Sequence, residues 1–398
     1  MSKINSATEI LQLKDICDIL NGFAFKSIHY VGNGIRIIRI ANVQKGHIVD
    51  DAPQFYPITS SKSISNFLLD DGDLLMSLTG NVGRVGIIDS PLLPAALNQR
   101  VACIRIKDEE VIDKRYLFYL FNDNYFETQC ILSSKGIAQK NMSTEWLKEY
   151  TILIPKINRQ REIVVTLDKT SELITLHKKQ LEELDALAES VFYDMFGDPV
   201  KNEKGWEMKQ WKNLFETRLG KMLDKKKQVA SDALCPYLGN SNVLWSDFKL
   251  EALQMMTFSA KEQKILELKP NDLLICEGGE AGRCAIWNNE TSNIYFQKAI
   301  HRARVIDTHV VNVKYIQKLI FQMKRLGGLK KYLSKATIEH LTGEKLNTVY
   351  LPIPSIELQT RFASIIEKIE EQKAQVKKAL QESEDLFQRL MQDLFRPN

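Results

Sequence analysis

Two long stretches of the chain place their seam residues at alternating steps of four and three. The first runs Ile163, Leu167, Thr170, Ile174, His177, Leu181, Leu184, Ala188, Val191 and Met195. The second runs Phe362, Ile366, Ile369, Lys373, Val376, Leu380, Ser383, Phe387, Leu390 and Leu394. Glu and Lys fill the flanking positions, so each stretch predicts a heptad helix, over 158–197 and 357–398. Gly197-Asp198-Pro199 supplies a stop for the first and Arg396-Pro397 for the second. A mixed region precedes each helix, 1–157 and 198–356. There, short β-rich runs such as 35–43 and 102–106 alternate with Gly, Asn and Asp turn signals. Each mixed region closes on an apolar, Pro-bearing segment, YTILIP ending at Pro155 and YLPIP ending at Pro354.

The pattern predicts a mixed α/β (α+β) chain with two domains, each followed by one helix. A single amphipathic helix can simply cover its own domain, but two matched heptad helices in one chain favour pairing with each other. A seam of roughly 33 residues spans about 50 Å at ~1.5 Å per residue. Antiparallel pairing then predicts domains at opposite ends of a helical bar, related by a pseudo-twofold axis. His177, at a seam position, reads as a buried polar residue that fixes register.

The same chain is written twice. GDLLMSLTGNVGR from Gly72 is matched by NDLLICEGGEAGR from Asn271, a separation of 199 residues in a chain of 398. That separation also places Asp73 on Asp272, Tyr116 on Tyr315, Pro155 on Pro354, Gln160 on Gln359 and Phe196 on Phe395. A period this long means duplicated domains rather than a solenoid. One segment reads as slipped by a residue, Asn98-Gln99-Arg100 falling against Phe296-Gln297-Lys298.

Composition narrows the class without deciding it. The chain is 44% hydrophobic and 26% charged, with a net charge of +4, so it is globular rather than disordered, and any basic surface must come from clustering. No apolar run approaches the ~20 residues of a membrane helix, and the opening MSKINSATEI has no signal-peptide core, so a cytoplasmic protein with no membrane contact is expected. The six cysteines form no CxxC pair and read as buried, reduced thiols.

In the order of its motifs the chain resembles the DNA-specificity subunits of type I restriction–modification systems, over essentially its whole length. The resemblance rests on the duplicated Gly-rich turns, Asn98-Gln99, the segment SKGIAQKN from Ser134, the step from Pro155 to Gln160 and from Pro354 to Gln359, and YDMFGDP from Tyr193. It implies two target-recognition domains, each reading half of a split site in double-stranded DNA, separated by an intramolecular antiparallel coiled coil. It also implies two methyltransferase subunits docked on the helices and a nuclease/translocase subunit that joins for cleavage. Ile163, Leu167, Ile174, Leu181, Val191, Met195, Phe362, Ile366, Val376, Leu380, Leu390 and Leu394 would form the coiled coil and docking element. The second half departs from the pattern: Glu277 and Glu280 stand where the first has Leu78 and Asn81, and ATIEH from Ala336 replaces AQKN. Acidic side chains repel phosphate, so that turn would face a base edge or solvent.

DNA binding needs Lys and Arg for phosphates, and Asn, Gln, Arg or Lys for base edges. The first half offers Thr79, Asn81, Arg84, Gln99, Arg100, Lys135, Gln139, Lys140 and Asn141. The second offers Arg283, Gln297, Lys298, His301, Arg302, Lys335 and His340, with basic clusters at Lys225–Lys227, Lys324-Arg325 and Lys330-Lys331. A short Lys run is equally a solvated helix face. Arg84 and Arg283 recur in both halves and could equally be scaffold residues, but they are assigned to phosphate positioning rather than base reading.

Catalytic signatures are missing from the sequence. It holds no GxxxxGK[ST] phosphate loop, no Asn/Asp-Pro-Pro-Tyr/Phe segment of adenine methyltransferases, and no His/Cys spacing for zinc. The expectation is a non-catalytic specificity subunit with no cofactor and no metal. The rival readings are a self-contained methyltransferase or nuclease with degenerate motifs, and a coiled-coil scaffold that binds no DNA.

Overall fold

Gln160 and Gln359, each the fourth residue of a 40-residue helix, are both 0% exposed and organise the two halves in the same way. The computed structural model describes residues 9–134, 140–222, 233–289, 293–334 and 339–395. These fall into two compact units. Unit 1 comprises 1–178 with 378–398, and unit 2 comprises 179–377.

In unit 1 an antiparallel four-stranded sheet has the order β1-β6-β3-β4, from β1 (Cys17–Asn21), β3 (Leu74–Ser77), β4 (Val85–Ile87) and β6 (Val101–Ile106). A second, smaller sheet pairs β2 (Ile35–Ile38) in parallel with β5 (Ala95–Leu97). Runs of Val, Ile, Leu and Met suit strands buried on both faces, and β3 is buried at every residue. Asp113 caps α1 (Lys114–Asn122) by accepting from the Tyr116 amide at 3.0 Å. The helix α2 (Asn124–Ser133) follows directly. The helix α3 (Ile157–Phe196) then leaves the unit, ended by Gly197 at φ +74°.

Unit 2 repeats the plan. Its four-stranded sheet runs β7-β13-β10-β11, from β7 (Phe215–Leu219), β10 (Asp272–Cys276), β11 (Cys284–Trp287) and β13 (Ile300–Val305). In its smaller sheet β8 (Ala233–Leu238) takes β9 (Gln254–Phe258) antiparallel and β12 (Tyr295–Phe296) parallel. The helix α4 (Val313–Arg325) matches α1, and α5 (Ile356–Phe395) matches α3. Arg105 forks onto Asp73 at 2.9 and 2.7 Å, and Arg304 onto Asp272 at 2.7 and 2.7 Å. Both are bidentate pairs tying two neighbouring strands.

Each unit contains a piece of both long helices. In unit 2, Phe192 and Phe196 meet Phe362 with ring centroids 5.7 and 5.1 Å apart, and Asp185 pairs with Lys373, so α3 and α5 run antiparallel there. In unit 1, Lys178 reaches Glu384 at 3.1 Å, Phe395 packs on Tyr116 and Phe387 on Tyr119.

The seam departs from strict heptads at the far end of each helix. Ile163, Leu167, Phe362, Ile366 and Val376 are buried, and Ile174, Leu181 and Leu380 half-buried. Four heptads on, Phe192, Phe196 and Met391 are the buried residues, while Val191, Met195, Leu390 and Leu394 are half-buried. A helix of 3.6 residues per turn drifts ~20° per heptad, so four heptads move the buried face by about one residue. His177 is half-buried rather than enclosed.

Candidate nucleic-acid interface

At the β3–β4 end of the unit 1 sheet, three segments distant in sequence are tied together by backbone bonds. The Leu78 amide donates to Arg100 O at 3.0 Å, the Gly80 amide to Lys140 O at 2.9 Å, and the Met142 amide to Leu78 O at 2.8 Å. A side-chain bond adds to these, the Thr79 hydroxyl donating to Asn141 Oδ1 at 3.0 Å. The turn 78–84 is shaped by Gly80 and Gly83, both at positive φ. A Cβ on Gly83 would stand 2.8 Å from Cys130 Cβ, so the turn packs against α2 only because that side chain is absent. The result gathers Thr79, Asn81, Gln99, Arg100, Lys140 and Asn141, and all but the half-buried Thr79 are exposed. Lys135 and Gln139 lie outside the described residues.

A cleft of about 350 Å³ opens beside this cluster, lined by Phe25, Arg39, Asn98, Gln99 and Arg100 among others. Sequence reasoning missed Phe25 and Arg39. The run 35–43 reads as strand and gives no sign that its end turns toward Gln99.

Unit 2 brings the matching segments together. The Glu277 amide donates to Ala299 O at 2.9 Å and the Leu341 amide to Glu277 O at 2.7 Å. These bonds equate Arg100 with Ala299, and hence Gln99 with Lys298 and Asn98 with Gln297. The one-residue slip read from sequence is therefore corrected: the separation of 199 holds through this segment. Lys298 is exposed, and Gln297 and His340 are half-buried. Lys335 and Lys225–Lys227 lie outside the described residues.

Several candidates face inward instead. His301 is 1% exposed, 3.2 Å from Leu341 O and 3.6 Å from Glu277, and burial pulls its imidazole below the ordinary 6.5 despite that carboxylate. Arg302 is 3% exposed and donates to Ile265 O and Glu267 O at 3.0 and 2.8 Å. Their place as DNA contacts is corrected, because β13 points both side chains into the packed interior. Arg84 donates to Gln44 Oε1 at 2.6 Å, and Arg283 to Asn240 O at 2.8 Å and Glu280 at 3.3 Å, so both serve the scaffold.

The two acidic residues of the second turn also have internal partners. Glu280 accepts from Trp245 Nε1 at 2.6 Å and pairs with Arg283, and Glu277 flanks His301. Internal pairing, rather than a base edge, accounts for them. Lys324 pairs with Glu339, and Arg325 with Glu189. The cysteines are free and buried, and burial pushes the Cys276 thiol up to about 11 and that of Cys130 to about 12. Neither supplies a thiolate nucleophile near neutral pH.

The family profile described as "Type I restriction modification DNA specificity domain" matches residues 5–186 and again 203–383. The chain is 29% identical to the specificity subunit of the type I restriction enzyme MjaVIII of Methanocaldococcus jannaschii, over 44% of this chain and 42% of that protein. It is 23% identical to the MjaIX specificity subunit of the same organism, over 93% of this chain and 88% of that one. It is 21% identical to the EcoBI specificity subunit of Escherichia coli, over 97% and 85%. In fold it is similar to the type I restriction–modification S subunit of M. genitalium (TM-score 0.58, 14% identity, 100% and 98% of the two chains). It is also similar to a chain solved in work on complex assembly and conformational transition of the type I system (TM-score 0.62, 15% identity, 100% and 99%).

Proposed function

This chain belongs to the type I restriction modification DNA specificity family, and on that premise we propose that each unit reads one half of a split target in double-stranded DNA. The observation that carries this is the repeated convergence at one end of each four-stranded sheet. Segments 78–84, 98–100 and 140–142 meet in unit 1, and 277–283, 297–299 and 339–341 in unit 2, with the Leu78–Arg100 and Met142–Leu78 backbone bonds repeated as Glu277–Ala299 and Leu341–Glu277. The exposed side chains there are hydrogen-bonding or basic in unit 1 and differ in unit 2, as two readers of different half-sites require.

The helix-bearing end of each unit is the opposite one. β6 and β13 run six residues, about 20 Å, from the reading turns toward the segments that Gln160 and Gln359 hold. Two methyltransferase subunits dock on the outer faces of the helices, since the seam residues are spent on packing within the units. The exposed Val165, Leu173 and Leu176 on one face of α3 support that docking surface. The nuclease/translocase subunit joins the assembly for cleavage, and the chain itself performs no chemistry.

The test is methylation mapping. The full chain, co-produced with the methyltransferase subunits, should methylate adenines at a single bipartite sequence, and exchange of residues 14–154 with a relative's region should change one half-site alone. Absence of any sequence-specific methylation or binding would leave the scaffold reading instead.

A further inference from the structure

Resting on the DNA-reading role above, we infer that positions 79 and 141 in unit 1, and 278 and 340 in unit 2, form the base-discriminating element of each unit. Asn141 and His340 are the readers, and the residue opposite each sets its position. The scaffold that carries these positions is duplicated, at the helix-bearing end of each sheet as well as in the turn itself. Gln160 and Gln359, the Asp73–Arg105 and Asp272–Arg304 forks, and the amide bonds from Met142 and Leu341 all recur. Against that constancy the side-chain pair changes completely, from Thr and Asn to Gly and His. A kept backbone carrying an exchanged pair at the reading end is what a specificity position requires.

The two pairs are built differently but to one purpose. In unit 1 the Thr79 hydroxyl donates to Asn141 Oδ1 at 3.0 Å, which holds the exposed amide in place, with its NH₂ group available to donate and one oxygen lone pair still able to accept. A fixed donor fits an acceptor on a base edge in the major groove: purine N7, guanine O6 or thymine O4. In unit 2 the His340 ring lies directly over Gly278. A Cβ at that position would stand 2.9 Å from both Nδ1 and Cε1, so the imidazole holds its place only opposite glycine. Imidazole offers a single donor or acceptor at each nitrogen, a different pattern from a primary amide. The two units therefore present different hydrogen-bonding groups at equivalent positions. Holding each reader by its partner also lowers the ordering cost of binding.

The experiment uses the full chain assembled with its methyltransferase subunits and selects bound duplexes from a pool randomised in both halves. Asn141→Ala should reduce discrimination at one base pair of one half-site by about ten- to a hundredfold and leave the other half untouched. Thr79→Val should relax the same base pair, and Thr79→Ser should restore it. His340→Ala should act only on the other half. Thermal unfolding equal to that of the unaltered chain separates these effects from misfolding.

If Asn141→Ala keeps the full preference at every position, or weakens all sequences equally, the base-reading assignment is overturned. If Thr79→Val matches the unaltered chain while Asn141→Ala does not, the positioning role falls. An unaltered assembly that enriches no sequence would instead overturn the DNA-reading role itself.

Discussion

Gln160 and Gln359 make the same three hydrogen bonds. Gln160 accepts from the Asp113 amide at 2.9 Å and donates to Val111 O and Pro155 O at 2.9 and 2.8 Å. Gln359 accepts from the Asn312 amide at 2.9 Å and donates to Val310 O and Pro354 O at 3.0 and 2.9 Å. Each joins the end of the strand-to-helix loop to the first turn of a long helix, and each is fully enclosed.

Removing either glutamine leaves three backbone groups, half-buried for the most part, without these partners, at up to about 1–3 kcal/mol each. Gln359→Leu should therefore lower the stability of unit 2 by several kcal/mol, read as an earlier urea midpoint. Gln160→Leu should do the same in unit 1. A midpoint unmoved by either change would show that water or relaxation replaces these bonds.

The drift of the buried face separates neighbouring residues on α3. Phe192→Ala should cost about 3–5 kcal/mol, because it opens a cavity among Phe196, Tyr315 and Phe362. Val191→Ala, one residue away and half-buried, should cost about 1 kcal/mol. Equal losses in chemical denaturation would restore the strict heptad seam.

Stability should fall on the acid side through His301. Burial lowers its native proton affinity below the ordinary 6.5, so between that lowered value and 6.5 the unfolded chain binds a proton that the folded chain does not. The stabilisation is complete above pH 6.5 and is lost as pH drops through that window. His301→Gln should flatten this part of the profile, measured as melting temperature from pH 8 to pH 5.

Salt dependence separates a phosphate contact from a scaffold cation. Lys140→Ala should weaken binding to every sequence and reduce the log–log salt slope by ~0.9. Arg84→Ala should leave that slope unchanged and lower stability, since its guanidinium is held by Gln44. The reverse result would move Arg84 onto the DNA.

The helices and the duplication were legible because they are periodic: heptads and a fixed separation of 199 residues are properties of the string. The glycine turns were legible too, since Gly80, Gly83, Gly279 and Gly282 mark backbone only glycine adopts easily. Side-chain direction was not. Arg302 and Lys298 differ by four residues, yet one donates to carbonyls inside and the other faces solvent. Which way β13 turns its residues is set by pairing with β7 and β10, and composition carries no trace of it. Trp245 as the partner of Glu280 was invisible for the same reason: the two are 35 residues apart and meet only through the fold.

The division of the chain into units also orders its synthesis. Unit 2 is one continuous stretch, 179–377, and has all its residues as soon as the ribosome and its exit tunnel have released them. Unit 1 begins earlier but waits for 378–398, whose Phe387, Met391 and Phe395 pack against Tyr119, Tyr116 and their neighbours. The half made first is thus the half completed last, against the usual N-terminal-first order. Until α5 returns, the apolar faces of α1 and of the first turns of α3 stand open. A chain that has released residues 179–377 but not those beyond them would carry one completed unit and one whose apolar faces are still uncovered.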